Sequence, residues 1–531
     1  MTFTRRKFFA FSGSVAALSL FSQAEAMPVE PPTKYDGDFD IVIVGGGGAG
    51  LSAACAASEL GASVLVLEKR PFLGGSSLIT DAMFAVGGTK LQKSRNIKDS
   101  PELYAKDLYE VGKHFNQKGL PEALSQAALK QYEWMENVLN VHPFTLEHQG
   151  GQSVPRSHQF KAPEVIEAMT KFARSHGVKI LTGVSANRLY WDEKGKRICG
   201  VKAVNAKKEI LSFHAKRGVI VTSGGFARNP QVLQRFAPYL KDVQVLSGTG
   251  SLGEGMLMAQ AYGADVRDTS FIAATFGAKK GMTDISELSF IQFNGGVVVN
   301  KEGKRFVDES KTYMEISEQA VKQPEGKAYT VFDSNIVREA VKDTPALSRM
   351  WLAIPEGRIP DYVYSGNTLE EAAKKAGMDG VELEKTIKKY NEDVAKGTDS
   401  KFGRQYLEGK VGKLVKIEKA PFFVFPTSSV IFGTYCGLLI NAYAQVIDVF
   451  GDVIPGLYAA GEVTGGLHGA GYMSGSGYAK ALSFGRVAGQ KAFRLTDLNR
   501  KKLAVVNSDL QKLLHWLIRS FTRFSQVRII T

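Results

Sequence analysis

Residues 40–68 constrain this chain more than any other stretch. The apolar, β-branched run Asp40-Ile41-Val42-Ile43-Val44 stops at four glycines, and a small-residue helix pattern follows. A second apolar run, Ser63 to Leu67, ends in Glu68. The unit reads as strand, turn, helix, strand, with G-x-G-x-x-G at Gly45, Gly47 and Gly50 and Ala49 between them. In such a turn the first glycine permits the bend, the second lets backbone approach a pyrophosphate, and the third lets helix pack on strand. The helix N-terminus offers unpaired N–H groups to the phosphates. Glu68 stands about 20 residues along, where a carboxylate takes a ribose hydroxyl. An ordinary strand-to-helix turn is the plainer alternative, but the flanking strands and the placed carboxylate favour a dinucleotide site.

At 531 residues the chain has room for two or three domains. Its 44% hydrophobic and 23% charged content are those of a globular protein. No run reaches the roughly 18 apolar residues of a spanning helix. The formal charge of +14 is dispersed, with no aromatic-interleaved basic motif, so nucleic acid is not an expected partner. Such a surface suits an acidic electron carrier. Cys55, Cys199 and Cys436 lie far apart, with neither C-x-x-C-H for haem nor a metal-ligand spacing.

Residues 1–26 read as a twin-arginine signal peptide. Thr4-Arg5-Arg6-Lys7-Phe8-Phe9 precedes an apolar stretch and Ala24-Glu25-Ala26, a cleavage-site pattern. The expected location is the bacterial periplasm. Residues 27–37, proline-rich and polar, read as a tether. Residues 38–267 carry the nucleotide-binding pattern, 268–420 a mixed texture of helices and short strands, and 421–497 a return to the first domain. The fold class expected is α/β, a Rossmann-like dinucleotide domain with an inserted α+β capping domain. In 498–531, Leu510, Leu513, Leu514, Leu517, Phe521 and Phe524 share one helical face, opposite Lys512, Arg519 and Arg523. That basic amphipathic tail suits peripheral membrane contact, a partner, or packing on its own protein.

Further motifs follow in order: Gly74-Gly75-Ser76-Ser77, Thr222-Ser223-Gly224-Gly225-Phe226, Gly253-Glu254-Gly255, Gly303-Lys304-Arg305-Phe306 and Ala459-Ala460-Gly461-Glu462. Together with the first turn they resemble the flavoprotein family of fumarate reductase and succinate dehydrogenase. The likeness is to its soluble periplasmic branch, the flavocytochrome c fumarate and urocanate reductases, and spans roughly residues 38 to 492. The resemblance implies non-covalent FAD. Glu68, with Lys69 beside it, would face the adenosine ribose, and Ser76, Ser77, Asp81 and Ala82 the pyrophosphate and flavin. Glu254 and Glu462 would match acidic cofactor contacts. The helix opening at Ser476, Gly477 and Tyr478 would aim its N–H groups at the flavin, where they stabilise negative charge.

The departures point to the substrate. Members acting on fumarate hold two carboxylates with arginines and histidines. Their positions here read Ala273-Ala274-Thr275-Phe276, Leu288-Ser289-Phe290-Ile291-Gln292, Phe432-Gly433-Thr434, Tyr313 and Tyr472. A dicarboxylate in a dry pocket needs charge-assisted partners, so fumarate and succinate are poor candidates. Tyr313 and Tyr472 instead resemble the tyrosines of the family's 3-ketosteroid dehydrogenase branch, which serve a ketone. By that resemblance one phenol moves the proton at the carbon α to a carbonyl and the other bonds its oxygen; Tyr435 is a third candidate. Phe271, Phe276, Phe290, Phe293 and Phe432 are candidates for an apolar pocket or for ordinary core. The expected function is a periplasmic FAD oxidoreductase reducing, or forming, a C=C bond conjugated to a carbonyl, with a periplasmic cytochrome c as donor in anaerobic respiration. The alternatives are a urocanate- or aryl-acrylate-type enoate reductase and a non-catalytic flavin electron-transfer protein.

Overall fold

In the computed structural model, residues 28–272, 274–343, 348–409 and 411–494 are described. The expected signal peptide and amphipathic tail lie outside them. Among the described residues no helix is long and apolar enough to cross a membrane.

The strand Gly37–Val44 runs at the centre of an eight-stranded sheet. It pairs in parallel with Val64–Glu68 on one side and Ile210–Val221 on the other. Lys179–Thr182 and Val453–Ala459 extend the parallel set outwards. Burial on both faces explains why the two central strands read as unbroken apolar runs over 41–44 and 64–67 rather than alternating ones: Ile41, Val42 and Ile43 are fully buried. The first helix, Gly48–Ser58, is buried along its whole length. The helix over 476–494 packs directly on it, since a Cβ at Gly485 or Gly489 would lie 2.3 or 2.2 Å from the carbonyl oxygens of Ala49 and Ala53. The helices expected over 100–140 form as Pro101–Val111 and Leu120–Asn137.

The second unit is a six-stranded sheet whose hub is Phe422–Ile431. Thr275–Lys279, Ala328–Asp333 and Tyr364–Gly366 all pair antiparallel with it. Its core is aromatic, with Phe332 stacked on Phe423 at 5.4 Å and Trp351 5.1 Å from Phe425.

Two expected boundaries differ from these findings. Residues 421–431 belong to the capping sheet rather than to the first domain, because Phe423, Val424 and Phe425 are wanted in its core. Gln244–Val245, inside the expected first segment, also pairs with that strand. The segment read as a tether is anchored at Val29, which is buried against Tyr190 and Cys199 and whose carbonyl accepts from Trp191 N at 2.9 Å.

Candidate active site

The ends of four parallel strands open on one cavity of ≈570 Å³. Gly45 follows the central strand, Glu68 ends the next, Thr222 to Gly224 follow Ile210–Val221, and Gly461 and Glu462 follow Val453–Ala459; all line it. A crevice outside the carboxyl ends of parallel strands is where such sheets bind ligands.

The glycines divide by what surrounds them. Gly45 has φ +110°, and a Cβ there would lie 2.5 Å from Thr222 O. At Gly50 it would lie 1.9 Å from Gly45 O, so both serve the fold. Gly47 has φ −76°, open to any residue, and a Cβ there would meet nothing nearer than Gly74 O at 3.7 Å. Its missing side chain clears the cavity rather than the protein.

Around that cradle the loops are stitched together. Gly48 N donates to Ser77 Oγ at 3.3 Å and Gly248 N to Ser76 Oγ at 2.9 Å. Glu68 is held by Gly46 N and Arg70 N, each at 2.8 Å. Lys69 Nζ meets Glu254 Oε1 at 2.5 Å. Glu254 Oε2, Ser223 Oγ and Ser247 Oγ are buried at this wall with no hydrogen-bond partner among the described residues. Each such atom costs roughly 1–3 kcal/mol, and a polar occupant relieves that cost. A side-chain-free cradle at a helix N-terminus, beside a carboxylate and unsatisfied polar atoms, fits FAD.

Of the residues expected to touch the cofactor, Gly50 and Ser476 do not line the cavity. Ser476 Oγ turns back to donate to Met473 O at 2.6 Å. Asp81 lines it while facing Arg349 of the capping unit at 3.7 Å, and Ala82, Gly74, Gly75, Gly477 and Tyr478 line it too.

The tyrosines gather at the cap-facing side. Tyr313 opens the helix Tyr313–Ala320, whose N-cap Thr312 forms a capping box with Glu315. That box satisfies free N–H groups of the first turn, where Tyr313 sits. Its hydroxyl lies 3.3 Å from Ser474 Oγ. Tyr435 adopts φ +53°, a conformation that costs a bulky residue energy and clusters at functional sites. Its ring centroid sits 4.7 Å from that of Tyr472. The Tyr472 oxygen accepts from Gly477 N at 3.2 Å, at the start of the helix over 476–494. Burial raises all three phenols; at Tyr472 the Gly477 N–H opposes it, and the group is pushed up to about 12.

Ile285, Leu288, Phe290 and Phe432 complete this wall, with Phe290 centred 5.3 Å from Tyr313. Phe276 and Phe293 instead join a core cluster and Phe271 packs on Phe115 at 5.1 Å. Packing in the cap removes Phe276 and Phe293 from the cavity, and Phe271 lies away from it on the exposed Phe115.

Sequence reasoning missed Lys480. It is buried among Asp268, Glu462 and Cys436, donates to Thr464 O at 2.9 Å, and is lowered to about 8 by burial. Asp268, partly buried, is raised to about 6 by desolvation, and Glu462 is raised by the same cause. No local signal marked it: along the helix Lys480 shares a face with Ser483, Gln490 and Lys491 and reads as an ordinary solvated residue. His468, fully buried, stands 5.1 Å from the Tyr472 ring with Nε2 unpartnered among the described residues. The cations lining the cavity among the described residues are Lys69, Arg70, Arg228 and Lys480.

Two buried arginines of the cap, Arg305 and Arg404, are committed elsewhere. Arg305 bonds Glu309 at 2.9 and 2.6 Å and Asp399 at 2.9 Å through two nitrogens, and Arg404 reaches Glu309 at 3.4 Å, all buried. Breaking one partner of a buried ion network costs about 3–5 kcal/mol. Glu309→Gln is therefore expected to lower stability by about that amount, read as a shifted denaturant midpoint at constant slope.

A parallel sheet opening on a glycine cradle, closed by an aromatic cap, defines a flavin-binding oxidoreductase. The chain belongs to the FAD binding domain family, whose model matches residues 40–478. It is similar to a probable fumarate reductase of Shewanella frigidimarina, 30% identical over 85% of this chain and 74% of that protein. Its identity to a urocanate reductase of Eggerthella lenta is 31%, over 89% and 77%. Among solved structures, the open conformation of a flavocytochrome c3 fumarate reductase superposes with TM-score 0.71 at 29% identity, covering 86% of this chain and 78% of that one. A 3-ketosteroid-Δ4-(5α)-dehydrogenase from Rhodococcus jostii shares the fold, with TM-score 0.71 at 24% identity over 87% and 99%. The protein is an FAD-dependent oxidoreductase of the fumarate reductase and related enoate reductase family, acting on C=C bonds.

Proposed function

We propose that the protein reduces a C=C bond conjugated to a carbonyl in a neutral or monoanionic substrate more apolar than fumarate. The observation that carries this reading is the cluster of Tyr313, Tyr435 and Tyr472 on an apolar wall, with the cap arginines Arg305 and Arg404 locked in their own network. Bound FAD, held non-covalently, supplies the hydride from its N5. Tyr472 donates its hydroxyl to the carbonyl oxygen, and Gly477 N–H supports the phenol as negative charge builds there. Tyr313 gives a proton to the carbon α to the carbonyl. Tyr435 packs edge-on to His468 and beside Tyr472, holding that ring in place. Phe290 and Phe432 keep water from the site.

A urocanate- or aryl-acrylate-type enoate is the second reading, supported by the likeness to urocanate reductase; Lys480 is then the candidate partner for its single carboxylate. Anaerobic reduction of the purified flavoprotein, followed by steroid enones, cinnamates, urocanate and fumarate, tests both. Saturable reoxidation is expected with an enone or aryl acrylate, and on the order of 10²-fold slower with fumarate, whose second carboxylate finds no charged partner. Fastest reoxidation by fumarate refutes the proposal, and no reoxidation by any of them favours a non-catalytic electron-transfer protein.

The twin-arginine pattern at Arg5 and Arg6 supports export of the folded, FAD-loaded protein to the periplasm. There a cytochrome c is the proposed electron donor in anaerobic respiration, and the tail over 498–531 a peripheral membrane contact. Fractionation of cells producing the full chain, and liposome flotation against a chain ended at Asp497, are expected to show periplasmic protein and tail-dependent flotation. Retention in the cytoplasm, or equal flotation, refutes the respective statement.

A further inference from the structure

A phenol that gives up a proton on every turnover has to recover one, and Tyr313 is enclosed. One carboxyl approaches it. Glu408 sits on the loop Leu407–Gly409 and is partly exposed. The point where a Gly150 Cβ would stand is 3.4 Å from Ser474 Oγ, 3.5 Å from Glu408 Oε1 and 3.7 Å from Tyr313 Cε1. The three side chains thus converge on a space that is open because residue 150 is glycine.

The loop is anchored for this. Gly409 N donates to Ser310 O at 2.9 Å, beside the start of the Tyr313 helix. Leu407 O accepts from Arg404 Nη2 at 3.3 Å, which ties the loop to the buried Arg305–Glu309–Asp399 network. Ser474 is fixed by its own N–H to Gly150 O at 2.9 Å and by Gln152 Nε2 to its carbonyl at 3.0 Å.

We propose that Glu408 returns protons from solvent to Tyr313 through Ser474, with one water in the space beside Gly150 completing the path. The inference rests on the proton-donor role proposed for Tyr313. In each turnover the Ser474 hydroxyl passes its proton to the Tyr313 phenolate and takes one from the bridging water. That water takes one from the Glu408 carboxylic acid, and solvent reprotonates the carboxylate. One proton moves inward, no electron travels the path, and every donor ends as it began. Burial raises the Glu408 carboxyl, which keeps it protonated further up the pH scale than an exposed glutamate. The titratable groups facing it are Tyr313 and, behind that, Tyr472; Arg404 on its own loop is turned into Glu309.

The test is the kcat–pH profile of the FAD-loaded enzyme with its best acceptor, for wild type, Glu408→Gln, Glu408→Asp, Gly150→Ala and Tyr313→Phe. Wild-type kcat is expected to fall as pH rises through the Glu408 titration. Glu408→Gln is expected to lower kcat at least tenfold and to lose that limb, with KM, flavin content and flavin spectrum unchanged. Glu408→Asp keeps the limb, and Gly150→Ala, which fills the water's space and leaves the carboxyl intact, lowers kcat in the same sense. A Glu408→Gln profile overlaying wild type, with Tyr313→Phe inactive, overturns the relay alone. Full turnover in Tyr313→Phe overturns the relay together with the reading beneath it.

Discussion

Tyr313→Phe is expected to cut turnover by roughly 10²–10⁴-fold while leaving FAD content and protein stability near wild type. The magnitude is that of a lost general acid. Stability is spared because the hydroxyl has one weak partner, Ser474 Oγ at 3.3 Å, whereas the ring keeps its packing on Phe290. Tyr472→Phe is expected to cost on the order of 10²–10³-fold, the scale of one removed donor at a developing oxyanion. It also leaves Gly477 N–H without its acceptor. Stopped-flow reoxidation of the reduced flavoprotein reads both directly, since flavin reduction by a chemical donor needs neither phenol. Variants that keep full reoxidation rates remove the two-tyrosine mechanism and return the tyrosines to packing.

Gly47 and Gly50 stand three residues apart in one motif, yet their alanine variants are expected to fail differently. Gly50→Ala forces a Cβ to 1.9 Å from Gly45 O. Backbone cannot yield there without separating the first helix from its strand, so soluble folded protein is not expected. Gly47→Ala meets no protein atom closer than 3.7 Å and keeps an ordinary φ of −76°. Its apoprotein is expected to melt within a few degrees of wild type, while its FAD affinity falls by about tenfold to a hundredfold. That range corresponds to one charge-assisted hydrogen bond of roughly 1.5–3 kcal/mol held out of reach. Circular dichroism melting and flavin titration of the apoprotein separate the outcomes. Equal FAD affinity in Gly47→Ala removes the argument that this glycine clears the phosphate cradle.

Residues 40–68 by themselves determined the first domain. Strand, turn, helix and carboxylate are local features, written in an apolar run, glycine spacing and one acidic residue, and the parallel sheet forms around them. The Gly45–Gly50 turn, Ser76, Ser77 and the Glu68 position were legible for the same reason. So was the departure from arginine at Tyr313 and Tyr472, because a motif keeps its order along the chain. Other features were settled by the tertiary structure. Arg305 reads as part of a conspicuous motif, but whether it faces a substrate or Glu309 depends on Asp399, 94 residues away. Phe422–Ile431 reads as a return to the first domain, and three strands from the cap claim it instead. Lys480 becomes a buried charge through neighbours at 268, 436 and 462. Periodicity and turn chemistry report on a residue and those a few positions from it. Whether a cation is neutralised, or a phenol meets a serine and a carboxyl, is decided by long-range packing, which carries no local pattern to read.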